Sequence, residues 1–310
     1  MNEIAYNQIA AMAAEPEAME KSICYIQQHI STFLKKRDRV LICFVNEPGC
    51  FGQIAEQAVL RCGAIPVIPD DLKWKTLLRE AFSKKCAVIM GTPLLVLGLS
   101  KLAKRMQIPL YARNVILAGY PSAKWMIEGI RKGLDCRIWG CYDPGAGIVV
   151  GGFSCDWSGS IHLRSEEYGV QIVDDSGNEL PEGEYGEVVL YPTQKPDCRL
   201  HTGDFARMIT EPCSCGSISP RLTDFDTVKG VDPDLSMIGE QLQQWTSVLD
   251  CRLFKSGYGM ELEIVTFPGE KLPKLPSCAK LVVRNWNPEE DVPFPHMYVL
   301  KNRLFSQNGC

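Results

Sequence analysis

The first 140 residues alternate between two apolar patterns. Ala18 to Lys36 carries Ile23, Ile26, Ile30, Phe33 and Leu34 at helical spacing. Val40 to Val45 is a short β-branched and apolar run, as expected of a buried strand. The alternation continues: helix over Gly52–Arg61, strand over Ala64–Ile68, helix over Leu72–Ser83, strand over Ala87–Met90, helix over Pro93–Arg105. Strand Val115–Ala118, helix Ser122–Lys132 and strand Cys136–Trp139 complete it. Strands alternating with helices of this length predict βαβ units and a parallel sheet. Right-handed crossovers then bring the strand C-termini to one edge, where ligands gather.

After Gly140 the pattern shifts to short alternating runs with frequent Gly and Pro. Ser160–Arg164, Gly169–Asp174, Glu187–Tyr191 and Phe205–Thr210 read as antiparallel strands. Turns such as Asp175–Ser176–Gly177–Asn178 and Pro181–Glu182–Gly183 join them. From about Asp234 to Cys310, strand-like Glu261–Phe267 and Leu281–Arg284 suggest a small α+β module. The expected fold class is therefore α/β: a parallel βαβ subdomain over 1–140, an antiparallel β region over 141–230 and a small α+β C-terminal domain over 231–310.

Composition narrows the functional classes. The 310 residues are 45% apolar and 23% charged, with a net charge of −4, which suits an ordinary globular chain. A nucleic-acid partner would call for clustered Lys and Arg. The densest basic run, Lys35–Lys36–Arg37, reads as solvated charge ending the first helix. No apolar run is long enough for a membrane span, and Met1–Asn2–Glu3–Ile4 does not open a secretion signal. Nucleic acid and membrane are thus not expected partners, and the expected location is cytoplasmic. There the fourteen cysteines read as reduced thiols or metal ligands. Cys24, Cys43, Cys62, Cys86 and Cys136 lie within apolar runs and read as small core residues.

Seven segments carry a family resemblance, and their order matters more than any one of them. They are Cys62–Gly63–Ala64–Ile65–Pro66–Val67–Ile68–Pro69, Gly91–Thr92–Pro93, Leu117–Ala118–Gly119–Tyr120–Pro121 and Ile138–Trp139–Gly140–Cys141–Tyr142–Asp143. Gln171 to Glu187, Arg199–Leu200–His201–Thr202–Gly203–Asp204 and Glu211–Pro212–Cys213–Ser214–Cys215–Gly216 follow. In this order, across roughly residues 20 to 225, they resemble the ATP-dependent acyl-adenylate ligases of the phenylacetate–CoA ligase type. Members of that family activate a carboxylic acid as acyl-AMP and pass the acyl group to CoA.

The resemblance implies an adenylate site. It assigns cofactor contacts to Gly119, Tyr120, Trp139, Gly140, Asp143, Thr202 and Asp204. Trp139 stands where the family stacks a tyrosine on adenine, and an indole can also stack. Asp204 matches the aspartate that binds the ribose diol, to which a carboxylate offers two acceptor oxygens. Asp143 replaces the magnesium-binding glutamate with a side chain one methylene shorter. Tyr120 replaces an acidic residue. His201, beside Thr202, either faces the nucleotide or serves the strand.

The departures point away from turnover. The family's Ser/Thr/Gly-rich phosphate loop would precede the first helix, and nothing in Met1 to Lys21 supplies it. Lys229–Gly230–Val231–Asp232–Pro233 only weakly resembles the family's segment before its small domain. No Gly–Lys pair stands near the end, Asn308–Gly309–Cys310, and Lys301 does not follow glycine. The expected function is AMP/ATP or acyl-adenylate binding by a degenerate ligase-like protein. It would act alone, as a homo-oligomer or with a partner subunit that completes the site. An active acyl-CoA ligase or adenylyltransferase using magnesium and CoA is the first alternative, and a non-catalytic scaffold the second.

A metal site is the sharpest chemical signal. Cys155 and His162 flank the turn Asp156–Trp157–Ser158–Gly159, and Cys213–Ser214–Cys215 sits between Pro212 and Gly216. Two soft ligands on each of two short β segments suit tetrahedral zinc. The same spacing occurs in metal-bearing members of the family it resembles. Four protein ligands leave no open position for water, so the zinc would be structural.

Overall fold

The computed structural model describes residues 16–46, 50–119, 122, 124–144, 151–155, 160–226, 246–256, 259–269 and 280–293. Tyr120, the Asp156–Gly159 turn, Lys229–Pro233 and Lys301 lie outside them. The chain runs α1 (Pro16–Ile30), β1 (Arg39–Ile42), α2 (Phe51–Arg61), β2 (Ile65–Val67), α3 (Trp74–Ser83), β3 (Val88–Gly91), α4 (Pro93–Arg105), β4 (Asn114–Leu117), α5 (Lys124–Leu134) and β5 (Arg137–Tyr142). There follow β6 (Gly152–Phe153), β7 (Ile161–Leu163), β8 (Tyr168–Val173), β9 (Tyr185–Pro192), β10 (Leu200–Ile209), β11 (Arg221–Asp226), β12 (Val248–Ser256), β13 (Gly259–Thr266) and β14 (Lys280–Asn285).

The antiparallel strands extend the parallel sheet instead of forming a separate one. An 11-stranded sheet has the order β2-β1-β3-β4-β5-β6-β7-β11-β10-β9-β8. Pairing is parallel from β2 to β5 and antiparallel from β5 to β8. β5 is the joint between the halves.

The parallel strands are apolar on both faces because helices cover both. Val40, Ile42, Val88, Met90, Ile116 and Ala118 meet Ile23, Ile26 and Ile30 of α1 and Ile54, Ala58 and Val59 of α2. Their neighbours Leu41, Ile89, Val115, Leu117 and Ile138 turn to the other face, under α3, α4 and α5. One-residue alternation thus splits β1, β3, β4 and β5 between two cores.

Helix α1 ends at Ile30, short of the periodicity that reaches Lys36. Ser31 Oγ and Thr32 Oγ1 donate to the Gln28 and His29 carbonyls at 2.8 and 2.7 Å, competing with helical bonding. Arg37 then takes φ 65°, and its amide donates to the Gly63 carbonyl at 2.9 Å. The basic run Lys35–Arg37 therefore lies in the connection to β1, not in a helical last turn. Cys24 is exposed, unlike buried Cys43 and Cys86. It follows Ile23 on α1 and so points about 100° away from the Ile23–Ile26–Ile30 face. Its sulfur accepts from Arg61 Nη1 at 3.6 Å. Among the described residues no helix is long and apolar enough to cross a membrane.

The C-terminal sheet has the order β12-β13-β14, with β12–β13 antiparallel and β13–β14 parallel. Leu249, Val265 and Phe267 join the same core as Trp74, Leu77 and Leu99. Gly98 of α4 makes this possible. A Cβ there would stand 2.4 Å from Trp74 Cη2 and 2.9 Å from the Leu249 carbonyl oxygen. Lys101 Nζ donates to the Val248 carbonyl at 3.2 Å, and the Trp74 amide donates to the Asp291 carbonyl at 3.2 Å. Gly98→Val should therefore cost about 1–3 kcal/mol by overpacking, read as a lower denaturation midpoint of the whole chain. Unchanged stability would show that the second sheet is not held against α4.

Candidate functional site

The four predicted metal ligands converge through strand pairing. Phe153 of β6 pairs with His162 of β7, so Cys155, two residues beyond Phe153, arrives beside the histidine. On its other side His162 pairs with Arg221 of β11. The Cys213–Cys215 turn lies just before β11, in the connection from β10. Within that turn the Gly216 amide donates to the Cys213 carbonyl and the Cys213 amide to the Ser217 carbonyl, each at 2.9 Å. Gly216 has φ 90°, a conformation that favours glycine. Arg221 Nη1 ties the turn to the Glu211 carbonyl at 2.7 Å.

The ligand atoms of Cys155, His162, Cys213 and Cys215 all lie within 4.8 Å of one another. Cys155 Sγ is 3.9 Å from Cys213 Sγ. His162 Nε2 is 3.3 Å from Cys155 Sγ and 3.5 Å from Cys215 Sγ. A tetrahedral zinc with bonds of about 2.3 Å to sulfur and about 2.0–2.1 Å to nitrogen sets edges of about 3.8 and 3.5 Å. The Cys155–Cys213, Cys155–His162 and Cys215–His162 separations are close to those edges. The Cys215 amide donates to the Cys213 sulfur and, with Cys215, His162 and Cys155 alongside, draws its thiol down to about 6. A thiolate is the form that binds metal. His162 is buried, and its Nδ1 has no hydrogen-bond partner among the described residues. A Cys3His set in this arrangement could hold a metal such as zinc.

The residues assigned to a nucleotide fall into different surroundings. Trp139 is not at a strand end, because β5 continues to Tyr142. Its ring stacks on Phe33, with centroids 4.6 Å apart and planes 13° apart, and its Nε1 donates to Asn114 Oδ1 at 3.0 Å. Asn114 opens β4, so the indole is directed along the sheet toward the strand N-termini. The Gly140 amide donates to Ser154 Oγ at 2.7 Å. Gly119 follows β4 with φ 97°, and a Cβ there would lie 3.3 Å from Thr92 Cγ2 and 3.9 Å from Phe44 Cε1. Asp143 is half-buried just beyond β5.

Asp204 and Thr202 do come together, on β10. The pairing of β10 with β9 shifts register between His201 and Phe205, and Gly203 takes φ 71° there, a bulge that re-aims side chains. Thr202 Oγ1 donates to the Val188 carbonyl at 2.8 Å and accepts the Asp204 amide at 3.0 Å. Asp204 is 1% exposed. Its Oδ2 accepts from the Tyr142 hydroxyl at 2.9 Å. Burial, then the Asp204 charge, push the Tyr142 phenol well above its ordinary value, so it remains a hydrogen-bond donor. Glu187 fixes the bulge from β9. Its Oε1 accepts the Gly203 amide at 3.2 Å, and its Oε2 contacts His201 Nδ1 at 3.0 Å. His201 is thus bound to the strand pairing. Tyr142, Glu187 and Asn114 were not singled out by sequence. Alternation along β5 puts Tyr142 and Trp139 on opposite faces and was the signal available for the first of them.

No protein-family model and no curated protein matches the sequence. Solved structures do match in fold. A 2-hydroxyisobutyryl-CoA ligase in the postadenylation state, in complex with 2-HIB-AMP, superposes with TM-score 0.62 at 15% identity, over 97% of this chain and 72% of that one. A benzoate CoA ligase from Burkholderia xenovorans LB400 gives TM-score 0.58 at 13% identity, over 91% and 65% of the two chains. The amide bond synthetase McbA from Marinactinospora thermotolerans gives TM-score 0.55 at 15% identity, over 84% and 62%. The chain has the fold of adenylate-forming ligases, at an identity that shows the fold alone.

Proposed function

We propose that the protein binds an adenylate, AMP or an acyl-AMP, where Tyr142 at the end of β5 reaches Asp204 of β10, and that it does not form acyl-AMP unaided. The observation that carries this reading is Asp204. A buried carboxylate on a glycine bulge, already accepting a hydroxyl, has the chemistry a ribose diol requires. The ligase fold supports it, and so does the order of phenylacetate–CoA ligase-like segments around Asp204. Trp139 has no part in the pocket on this reading, since its ring is stacked on Phe33. The zinc is structural and holds β6, β7 and the β10–β11 turn together, which keeps β10 in place.

Calorimetric titration with AMP, ATP and CoA separately, with and without magnesium, tests the reading. One AMP should bind per chain without magnesium. Asp204→Ala should weaken that binding by about 1–3 kcal/mol, the usual effect of losing a hydrogen bond to a charged group. No binding of any of the three would favour a scaffold. The internal engagement of both Trp139 and Asp204 makes the scaffold the second reading.

A further inference from the structure

We propose that Tyr142 is a built-in competitor for the Asp204 carboxylate, so that a bound nucleotide gains both carboxylate oxygens for its ribose diol only by displacing the tyrosine hydroxyl from Oδ2. The inference rests on the adenylate reading above and adds to it a control on affinity.

A phenol presents the same group to a carboxylate as a ribose does, an O–H donor. Here that donor is already in place, 2.9 Å from Asp204 Oδ2. The ring is held from two sides. Phe225 meets it edge-on, with centroids 4.9 Å apart. Gly151 lies so close that a Cβ there would stand 3.1 Å from Tyr142 Cδ1. Tyr142 and Asp204 are 6% and 1% exposed, so water competes little for the bond. A ligand needing that carboxylate sees its intrinsic affinity reduced by the fraction of molecules in which the tyrosine has yielded. Tyr142 closes β5, the strand joining the parallel and antiparallel halves.

The test compares AMP with 2′,3′-dideoxy-AMP, which lacks the diol, on the full chain. Tyr142→Phe keeps the ring between Phe225 and Gly151 and removes only the hydroxyl. It should bind AMP about 10-fold or more tightly than wild type, the scale of a released hydrogen bond to a charged group. Affinity for 2′,3′-dideoxy-AMP should not change, and adding Asp204→Ala should abolish the gain. Tyr142→Leu, also without the hydroxyl, should widen the AMP/dideoxy ratio in the same direction, which covers a folding defect in either variant. Unchanged or weaker AMP binding in Tyr142→Phe overturns the proposal. Equal tightening for both nucleotides overturns it too, because the effect would then be one of space. If Tyr142→Phe is neutral while Asp204→Ala weakens AMP in wild type, the competitor fails and the adenylate reading stands. If neither wild type nor variant binds AMP, both fail.

Discussion

Protein purified without chelator should carry about one zinc per chain, and removing that zinc should unfold the antiparallel half of the sheet before the parallel half. One site with four protein ligands sets the stoichiometry. The order of loss follows from what each half has to hold it. The parallel half is covered on both faces by helices with continuous cores. Around the Cys3His cluster the strands are very short: β6 has 2 residues and β7 has 3. A strand of that length contributes few ladder bonds, and metal binding free energy is folding free energy where the site forms only on folding. Cys213→Ser removes one ligand and disturbs the turn before β11. It should cost on the order of 4 kcal/mol or more, a range reached through losses such as that of a metal. Zinc content, denaturant midpoint and hydrogen exchange of β6, β7 and β11 are the readouts. Cys24→Ser, at an exposed thiol beside Arg61, is the control and should keep both metal and stability. Full stability of a zinc-free Cys213→Ser variant would remove the structural role.

The parallel sheet was legible because its residues obey two simple periods. Val40, Leu41 and Ile42 are all buried, and a run apolar at every position is what a strand covered on both faces requires. The Cys3His cluster was legible for a chemical reason. Three cysteines and a histidine in turn-flanked pairs keep their meaning even when the strands that unite them are too short to see. β6 and β11 escaped notice because neither carries an apolar pattern: Gly152–Phe153 is too brief, and in β11 Leu222 is the buried apolar residue between polar neighbours. β12 does carry a strand pattern, since Leu249, Cys251 and Leu253 alternate with Asp250 and Arg252.

The residues that the resemblance assigns to a nucleotide show where motif order stops being informative. The apolar pattern ends a strand at Trp139, and the resemblance places that residue on adenine. The hydrogen-bonded ladder carries β5 on through Tyr142, which pairs with Gly152. Three further residues of strand turn Tyr142, not Trp139, toward Asp204. Such a change depends on which distant strand offers pairing, and no local window contains that information. The Phe33–Trp139 stack joins positions brought together only after α1 has docked on the sheet.

The 310-residue chain, supplied with ATP, magnesium, CoA and a panel of aryl and aliphatic acids, should release pyrophosphate at a rate near background. Adenylation develops negative charge on the α-phosphate and on the leaving pyrophosphate, and catalysis depends on donors and cations already placed to meet it. The family that these segments resemble meets it with loop amides, a magnesium ion on a glutamate and a lysine that follows glycine. No Ser/Thr/Gly-rich phosphate loop and no such lysine can be recognised in these 310 residues, and Asp143 offers its carboxylate one methylene short. Losing one such donor costs on the order of 100-fold in rate. Two losses, acting independently, cost on the order of 10,000-fold. Asp143→Glu alone should therefore not restore turnover, because it corrects the metal contact and leaves the phosphates without their other donors. Arg221 is no ready substitute, since its guanidinium is engaged by the Glu211 carbonyl. Robust pyrophosphate release with any acid would overturn the binding-only reading and turn attention to Lys229 and Lys301 as sources of positive charge. Release that appears only when a second protein is added, and that disappears with Asp204→Ala, would instead identify this chain as the adenylate-holding part of a divided ligase.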